Sequence, residues 1–335
     1  MRIVFISCAA LFGTLFVVLT VVGLIGNSVV IAAISCDKKM RHSVMNMLLF
    51  NLAIADALNL IITTVEWSPT IALGRLEWIL PAILCPLARY LEIIFLFVSI
   101  LTQIVVCVER YVAIVYPMHA RRLCSRQNIF ILIVLTWLFV VLFAIPYALL
   151  HRLTPKCMLL LCRYFKQSLC VNPYVSTSFW RRYKWLEFFC FYFIPCIFQQ
   201  YVSIFAKLVK LTKKQCNLCI TVSTSEAVVH HQTEALRIRR NVVKMLVGCV
   251  SMYFICYSPI QTIFLSKALF DVQVSTTYEF ILLMDALALM CSACNPLLYA
   301  LFSKKFRARI ARILVLSCSY ICCYNRNRKA VSTSR

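Results

Sequence analysis

Seven long apolar stretches punctuate this chain, at about residues 3–34, 44–65, 79–106, 129–149, 186–206, 242–266 and 276–302. Each is near or above the ~20 residues that a helix needs to cross the hydrocarbon core of a bilayer. In lipid every backbone N–H and C=O must be paired inside the structure, so runs of this kind imply helices. The alternation that a membrane barrel would require is absent. Only 14% of the residues are charged and mean hydropathy is +0.85, against roughly a quarter charged in soluble proteins. The expected fold is an all-α membrane protein, a seven-transmembrane helix bundle over residues 1–302. Residues 303–335 are expected to form a membrane-surface helix and a cytosolic tail.

The net charge of +23 would suit a nucleic-acid binder, but its distribution points elsewhere. Most of the Lys and Arg fall beside the loops of one side: Lys38, Lys39 and Arg41; Arg110, Arg121, Arg122 and Arg126; Lys207 to Lys244; and Lys304 to Arg335. That bias sets the N-terminus outside and the C-terminus in the cytosol, and the basic inner surface favours anionic lipid as a partner. The start resembles a signal peptide, yet its apolar run continues through Gly26-Asn27 to Ile34, too long for a cleaved segment. It is read as the first span, with almost no outer tail.

Three spans carry polar residues on one face. Asp56, Asn59, Thr63 and Glu66 are spaced by 3, 4 and 3 in the second. Glu92, Ser99, Gln103 and Arg110 are spaced by 7, 4 and 7 in the third. Asp285, Ser292, Asn295 and Tyr299 mark the seventh. At ~100° per residue each set forms a stripe, and lipid does not tolerate such stripes, so they are expected to face one hydrated interior. Pro195 and Pro259 each remove a backbone donor from the fifth and sixth spans. The segment 212–236 is polar and is expected to be a mobile loop. Phe302 to Arg309 alternates basic and apolar residues as a helix lying on the inner leaflet would.

The nineteen cysteines sit mostly inside apolar runs, where a thiol is a small hydrophobe. Cys318, Cys322 and Cys323 follow the inner-leaflet helix as palmitoylation candidates. Nothing here resembles an enzyme, because no nucleophile–base pair lies outside the apolar spans. No internal duplication is visible, which weakens a transporter.

Glu109-Arg110-Tyr111 closes the third span. Charge at the rim of hydrocarbon is usually functional, with a snorkelling arginine as the alternative. Together with Gly26-Asn27, Leu52-Ala-Ile-Ala-Asp56, Cys85, Trp137, Pro195, Cys256-Tyr257-Ser258-Pro259, Asn295-Pro296-Leu-Leu-Tyr299 and Phe306, this ordered set resembles the class A (rhodopsin-like) G-protein-coupled receptors along nearly the full chain. The stretch from Glu109 through Pro117 to Cys124 is most similar to the neuropeptide branch, in particular to thyrotropin-releasing-hormone, ghrelin and neuromedin receptors.

That resemblance implies roles. Glu109, Arg110, Tyr111, Tyr257, Pro259, Asn295, Pro296 and Tyr299 would form the activation switch facing the G protein, with Arg110 paired to Glu109 at rest. Ile100, Pro195 and Tyr253 would be the connector. Asp56, Ser99, Ser292 and Asn295, with Asn27, resemble the family's sodium pocket, and that allosteric ion is the only cofactor implied. Cys85 would bond to the second outer loop, with Cys170 the best partner, leaving Cys157 and Cys162 to pair. Tyr257 stands where the family usually has Trp, Ser203 where it has Tyr, and Gln103 in a layer that is usually apolar. These departures imply a weaker barrier and some agonist-independent signalling.

Seven of the twelve acids lie in the outer half: Glu66, Glu77, Glu92, Glu187, Asp271, Glu279 and Asp285. At 1.5 Å per residue Glu92 stands about 27 Å above Arg110. Convergent carboxylates in a partly dry cleft favour a cation. The expected ligand set is therefore Glu66, Glu92, Glu187, Tyr257, Gln261 and Asp285. The ligand would be a small cationic neuropeptide, unless the acids pair internally with Arg75, Arg89, Lys267 or the basic second outer loop. An amine or chemosensory receptor, or a constitutively active receptor-like protein without ligand, is the alternative. The implied setting is the plasma membrane, multi-pass, with a heterotrimeric G protein of the Gq class and arrestin as inner partners.

Overall fold

The structure is a computed structural model that describes residues 2–74, 77–160, 163–197, 226–270 and 278–302, with residues 307, 308 and 311. The spans are Arg2–Ser35, Val44–Leu73, Leu84–Val115, Arg126–Phe143 continuing as Ile145–Leu150, Ser178–Phe188 continuing as a π turn over Phe189–Phe193, Glu226–Phe270 and Tyr278–Phe302. Among the described residues six helices are long and apolar enough to cross a membrane, and the fifth span is described only as far as residue 197.

Most helices outrun their apolar cores. The sixth begins at Glu226, so residues 226–236 extend a helix where a polar loop was expected. Short helices Lys38–Arg41 and Pro117–Leu123 turn the chain at the inner end. The outer segment after the fourth span is an antiparallel hairpin, Arg152–Leu160 against Arg163–Val171, in register from Arg152↔Val171 to Leu160↔Arg163. Helix ends are closed by local chemistry. Ser125 Oγ accepts from Asn128 N at 3.3 Å and Thr177 Oγ1 from Trp180 N at 3.3 Å, each satisfying a donor of the first turn. Gly74 ends the second span at φ 64°, a left-handed position that a side chain would strain.

The first span packs on the second and seventh, the second on the third, and the sixth on the seventh. The core falls in layers. Val30, Leu48, Leu52, Val106, Ile129 and Tyr299 fill the inner one. Ile94, Phe97, Val98, Val140, Phe191 and Tyr253 fill the middle, where the rings of Phe97 and Phe191 stack at 3.7 Å. Phe16, Leu60, Trp67, Leu282 and Leu289 close the outer layer between the first, second and seventh spans. Leu135, Leu138, Phe139 and Leu142 on the fourth span, and Val17, Val18, Val21 and Ile25 on the first, point outward. Those faces belong against lipid, which offers nothing to polar groups.

Prolines shape the interior. A helical proline leaves the carbonyl four residues earlier without its N–H donor. Pro69 frees Val65, whose carbonyl takes Ser68 Oγ at 3.3 Å. Pro296 frees Ser292, whose carbonyl takes Asn27 Nδ2 at 3.3 Å. Pro195 frees Phe191 inside the π turn, and the Tyr253 hydroxyl donates to that carbonyl. In each case a side chain replaces the lost bond, and two of the three replacements join different spans.

Close backbone approach adds a second constraint. A Cβ on Gly23 would meet Leu60 Cδ1 at 2.6 Å and Ala293 Cβ at 3.0 Å. At that position the first span lies against both the second and the seventh with no room for a side chain.

Ser203, Asp271, Arg75, Phe306, Cys162, Cys318, Cys322 and Cys323 lie outside the described residues. So does most of the expected inner-leaflet helix, although residues 307, 308 and 311 are helical.

Candidate functional site

The three polar stripes converge. Asp56 is fully buried at mid-bundle. Ser99 Oγ donates to its Oδ1 at 2.7 Å and Asn295 Nδ2 to its Oδ2 at 2.7 Å. Asn59 Nδ2 reaches Ser292 Oγ at 3.2 Å, and Asn27 Nδ2 donates to Gly23 O at 3.0 Å. The amide oxygens of Asn27, Asn59 and Asn295 are buried with no hydrogen-bond donor. A buried carboxylate ringed by hydroxyls and unpartnered amide oxygens is the donor set that a hard cation takes, since burying charge without a partner is costly. The residues therefore fit a small cation.

A second polar link ties the second, third and fourth spans. Trp137 Nε1 donates to Asn51 Oδ1 at 2.9 Å, and Asn51 Nδ2 donates to Thr102 Oγ1 at 2.9 Å. Thr102 Oγ1 in turn bonds the Val98 carbonyl at 2.6 Å.

At the inner end Arg110 forks onto its neighbour. Nη2 donates to Glu109 Oε1 at 2.7 Å and Nε pairs with Oε2. Beside this lock a small cleft is lined by Leu49, Leu52, Gln103, Val106, Cys107, Cys249, Val250 and Tyr299. Gln103 is the polar intruder, buried with its Nε2 unbonded. Ile100 and Tyr253 share the middle core cluster with Phe191, and Pro195 is buried just past the π turn.

At the outer end the carboxylates of Glu66, Glu92 and Asp285 gather around one guanidinium. Arg89 Nη2 lies 2.8 Å from Glu66 Oε1 and Nη1 lies 3.2 Å from Glu92 Oε2. Asp285 is within electrostatic reach of Arg89, Glu92 and Glu66. The Arg89 guanidinium sits 5.3 Å above the Trp67 ring, a cation–π geometry. Among the described residues, three acidic side chains and one guanidinium meet here. Tyr257 stands at the floor, its ring 4.9 Å from that of Tyr253, with Glu92 in electrostatic reach. Gln261 is half-buried one turn above it.

Glu187 makes different contacts. Tyr147 Oη donates to its Oε2 at 2.6 Å, Lys184 pairs with its Oε1, and Lys184 Nζ also donates to Tyr147 Oη at 3.0 Å. Its charge is thus met locally, in an aromatic cluster with Trp180 and Tyr183. His151 stacks on Tyr147 at 5.3 Å. Burial, with Arg89 and Lys184 nearby, pushes its imidazole down to about 4 despite a bond to the Tyr147 carbonyl. Over the mouth, Cys85 and Cys170 form a disulfide, which pins the hairpin to the top of the third span. Cys157 is placed by its backbone pairing with Lys166.

Internal pairing with Arg89, which the sequence offers as the alternative to a cationic ligand, is present for Glu66 and Glu92, while sequence reasoning missed the place of Trp67 beneath Arg89. It also missed the thiols of Cys256 and Cys291, which are buried in the same core cluster on the sixth and seventh spans.

The family model for the 7 transmembrane receptor (rhodopsin family) matches residues 26–299, which takes in the Asp56 pocket, the Arg110 lock and the outer acids together. The chain belongs to the rhodopsin family of seven-transmembrane receptors. It is a multi-pass membrane receptor and not an enzyme. It is 49% identical over 310 residues to Neuropeptide receptor 15 of Caenorhabditis elegans, covering 89% of this chain and 88% of that protein. It is 26% identical over 316 residues to the Allatostatin-A receptor of Bombyx mori, covering 94% and 82%. It is 27% identical over 302 residues to Galanin receptor 2b of Danio rerio, covering 89% and 73%.

Proposed function

We propose that this receptor binds an extracellular peptide bearing a cationic group and passes the event to a heterotrimeric G protein at its inner end. The observation that carries this is the outer cleft, where Arg89 pairs with Glu66 and Glu92 and has Asp285 within electrostatic reach. A cleft with excess negative charge and little water favours a positive ligand group. The names of the relatives point to peptides as the ligand class. Below the cleft the spans carry Tyr257, Asp56, Gln103 and Arg110, the first three buried among the helices and Arg110 partly so, and a ligand that prefers one packing of this column of side chains would shift the population at the G-protein face.

A sodium ion held by Asp56, Ser99 and the Asn27, Asn59 and Asn295 oxygens would favour the resting packing. Gln103 wets the layer above the Glu109–Arg110 lock and supports agonist-independent activity. Coupling through the Gq class, arrestin binding and anionic lipid at the basic inner surface complete the proposal.

The test is a screen of short basic and neutral peptides for nucleotide exchange on purified G proteins, with receptor in lipid discs. Basic peptides are expected to stimulate exchange. Glu92→Gln and Asp285→Asn, expressed at normal surface levels, should weaken potency on the order of tenfold or more. Unchanged potency in both variants would refute the acidic site.

A further inference from the structure

We infer that the inner rim holds one particular anionic lipid, with a headgroup that carries phosphate monoesters, between the loop before the second span and the start of the fourth. The site rests on the basic inner surface being a partner of anionic lipid, and gives that lipid a place and a headgroup.

Two basic side chains from distant parts of the chain touch there. Arg126 Nη1 lies 2.9 Å from His42 Nδ1. A guanidinium can only donate, so His42 accepts at Nδ1 and its neutral ring carries the proton on Nε2. Both residues are exposed, as are Arg41 and Arg122. Arg41 precedes His42 and ends the short helix Lys38–Arg41. Arg122 is drawn to the start of the fourth span by Asn128, whose Nδ2 donates to the Arg122 and Leu123 carbonyls at 3.1 and 3.2 Å. Among the described residues no carboxylate pairs with Arg41, Arg122 or Arg126. Asp37, the nearest acid in sequence, is engaged otherwise. Cations gathered on one face attract an anion that spans them.

The donors that remain fit phosphate. Arg126 uses one N–H on His42, and the rest of its planar fork can meet two phosphate oxygens at once. His42 Nε2–H adds a neutral donor beside it. A phosphate monoester offers three acceptor oxygens and a charge of about −1.5 to −2. The phosphodiester of a serine or choline lipid offers fewer free oxygens and a single charge.

Position selects a lipid over a soluble phosphate. Arg126 is the first residue of the fourth span. Phe130, one turn along, and Val134 and Leu138 beyond it are exposed, on a face that belongs against acyl chains. A headgroup at Arg126 is therefore tethered by its own tails. His42 stands two residues before the second span begins at Val44, so the positive ends of two long helices add to the attraction. Bound there, the headgroup joins the loop after the first span to the helix Pro117–Leu123 that follows the Arg110 lock, and braces the inner face.

The test uses full-length receptor. Native mass spectrometry counts the lipid retained in detergent when phosphatidylcholine, phosphatidylserine and phosphatidylinositol 4,5-bisphosphate are offered, the two anionic lipids at matched total charge. Inositol 1,4,5-trisphosphate is the soluble competitor, and melting in lipid discs is the second readout. The wild type should retain the bisphosphate lipid over the serine lipid by roughly tenfold, the scale of one charge-assisted hydrogen bond. Arg126→Gln should remove most of that preference, and Arg126→Lys should restore it only in part, because the fork is gone. His42→Ala should cost about a few-fold for a neutral donor. Arg181→Gln, exposed at the outer end, should change nothing. The soluble trisphosphate should need on the order of a hundredfold more than the tethered headgroup. The bisphosphate lipid should raise the melting temperature of the wild type and not of Arg126→Gln, and lipid-free melting screens out misfolded variants. Equal retention of the two anionic lipids, or a preference that survives Arg126→Gln, would overturn the inference and leave the basic inner surface standing. Displacement of the lipid by equimolar trisphosphate would also overturn it, since the site would then serve a soluble anion. No preference for either anionic lipid over phosphatidylcholine would instead remove the lipid-binding surface on which the site rests.

Discussion

Tyr253→Phe removes a single hydroxyl, and the structure says what that should do. The hydroxyl donates to the Phe191 carbonyl, four residues before Pro195, which has no N–H to offer it. Tyr253 is buried in the middle layer, away from water. An unpaired buried acceptor costs about 1–3 kcal/mol, while hydrogen bonds between membrane helices average about 0.6 and reach about 1.7 kcal/mol. The expected destabilisation is therefore about 1–2 kcal/mol. The mechanism makes a sharper demand through Pro195→Ala, which returns an N–H to the fifth span and gives the Phe191 carbonyl a local donor. In that background Tyr253→Phe should cost less than about 0.5 kcal/mol, a coupling near 1 kcal/mol of the kind a double-mutant cycle resolves. The assay is reversible unfolding of purified receptor in bicelles for all four proteins, without ligand. A Tyr253→Phe penalty that is the same with proline or alanine at residue 195 would refute the reasoning, because the carbonyl would then not be one that proline had freed.

Three further outcomes follow from the same contacts. Gly23→Val should lower the melting temperature by more than Gly23→Ala, with about 1–3 kcal/mol for the alanine, since even a Cβ meets Leu60 and Ala293 at 2.6–3.1 Å. His151 titrates near 6.5 in the unfolded chain and is held to about 4 in the fold, so its contribution is complete above about pH 6.5 and is lost as pH falls towards 4. Melting followed from pH 7.5 to 4.5 should show this loss, and His151→Phe should flatten it. Gln103→Leu should fill the inner cleft with an apolar group and reduce agonist-independent nucleotide exchange. Basal exchange equal to that of the wild type would dissociate Gln103 from the barrier.

The period of the polar residues is enough to place the second, third and seventh spans around one interior, because lipid forbids any other outcome for Asp56, Ser99 and Asn295. Partners are another matter. Asn59 meets Ser292 and Asn27 meets the Ser292 carbonyl only once the chain has closed on itself. Arg89 is one of several cations near the acids in sequence, and only the rotation of the third span selects it. The hairpin escapes sequence reasoning because none of the Gly, Asn or Pro that mark a turn stands between the stretches Arg152–Leu160 and Arg163–Val171, and the sequence there is as apolar as a span. The π turn at Phe189–Phe193 lies in a run, Phe-Cys-Phe-Tyr-Phe, that is apolar throughout and carries no period to interrupt. The sixth span is underestimated because hydropathy reports where lipid stops, and a helix of charged residues continues into water from Glu226 without any apolar signal.

The central claim is that one buried polar column joins the outer acids to the Arg110 lock. Linkage tests it most directly, since a G protein that senses the ligand must raise agonist affinity by the same factor as the agonist raises G-protein affinity. The measurement is the affinity of an activating peptide with and without nucleotide-free G protein, for wild type, Asp56→Ala and Arg110→Ala in lipid discs. The expected result is an affinity gain of roughly 5–150-fold in the wild type, lost in both variants while peptide binding without G protein persists. A full gain in Asp56→Ala would contradict the account, because the two ends would then communicate by a route that bypasses the column.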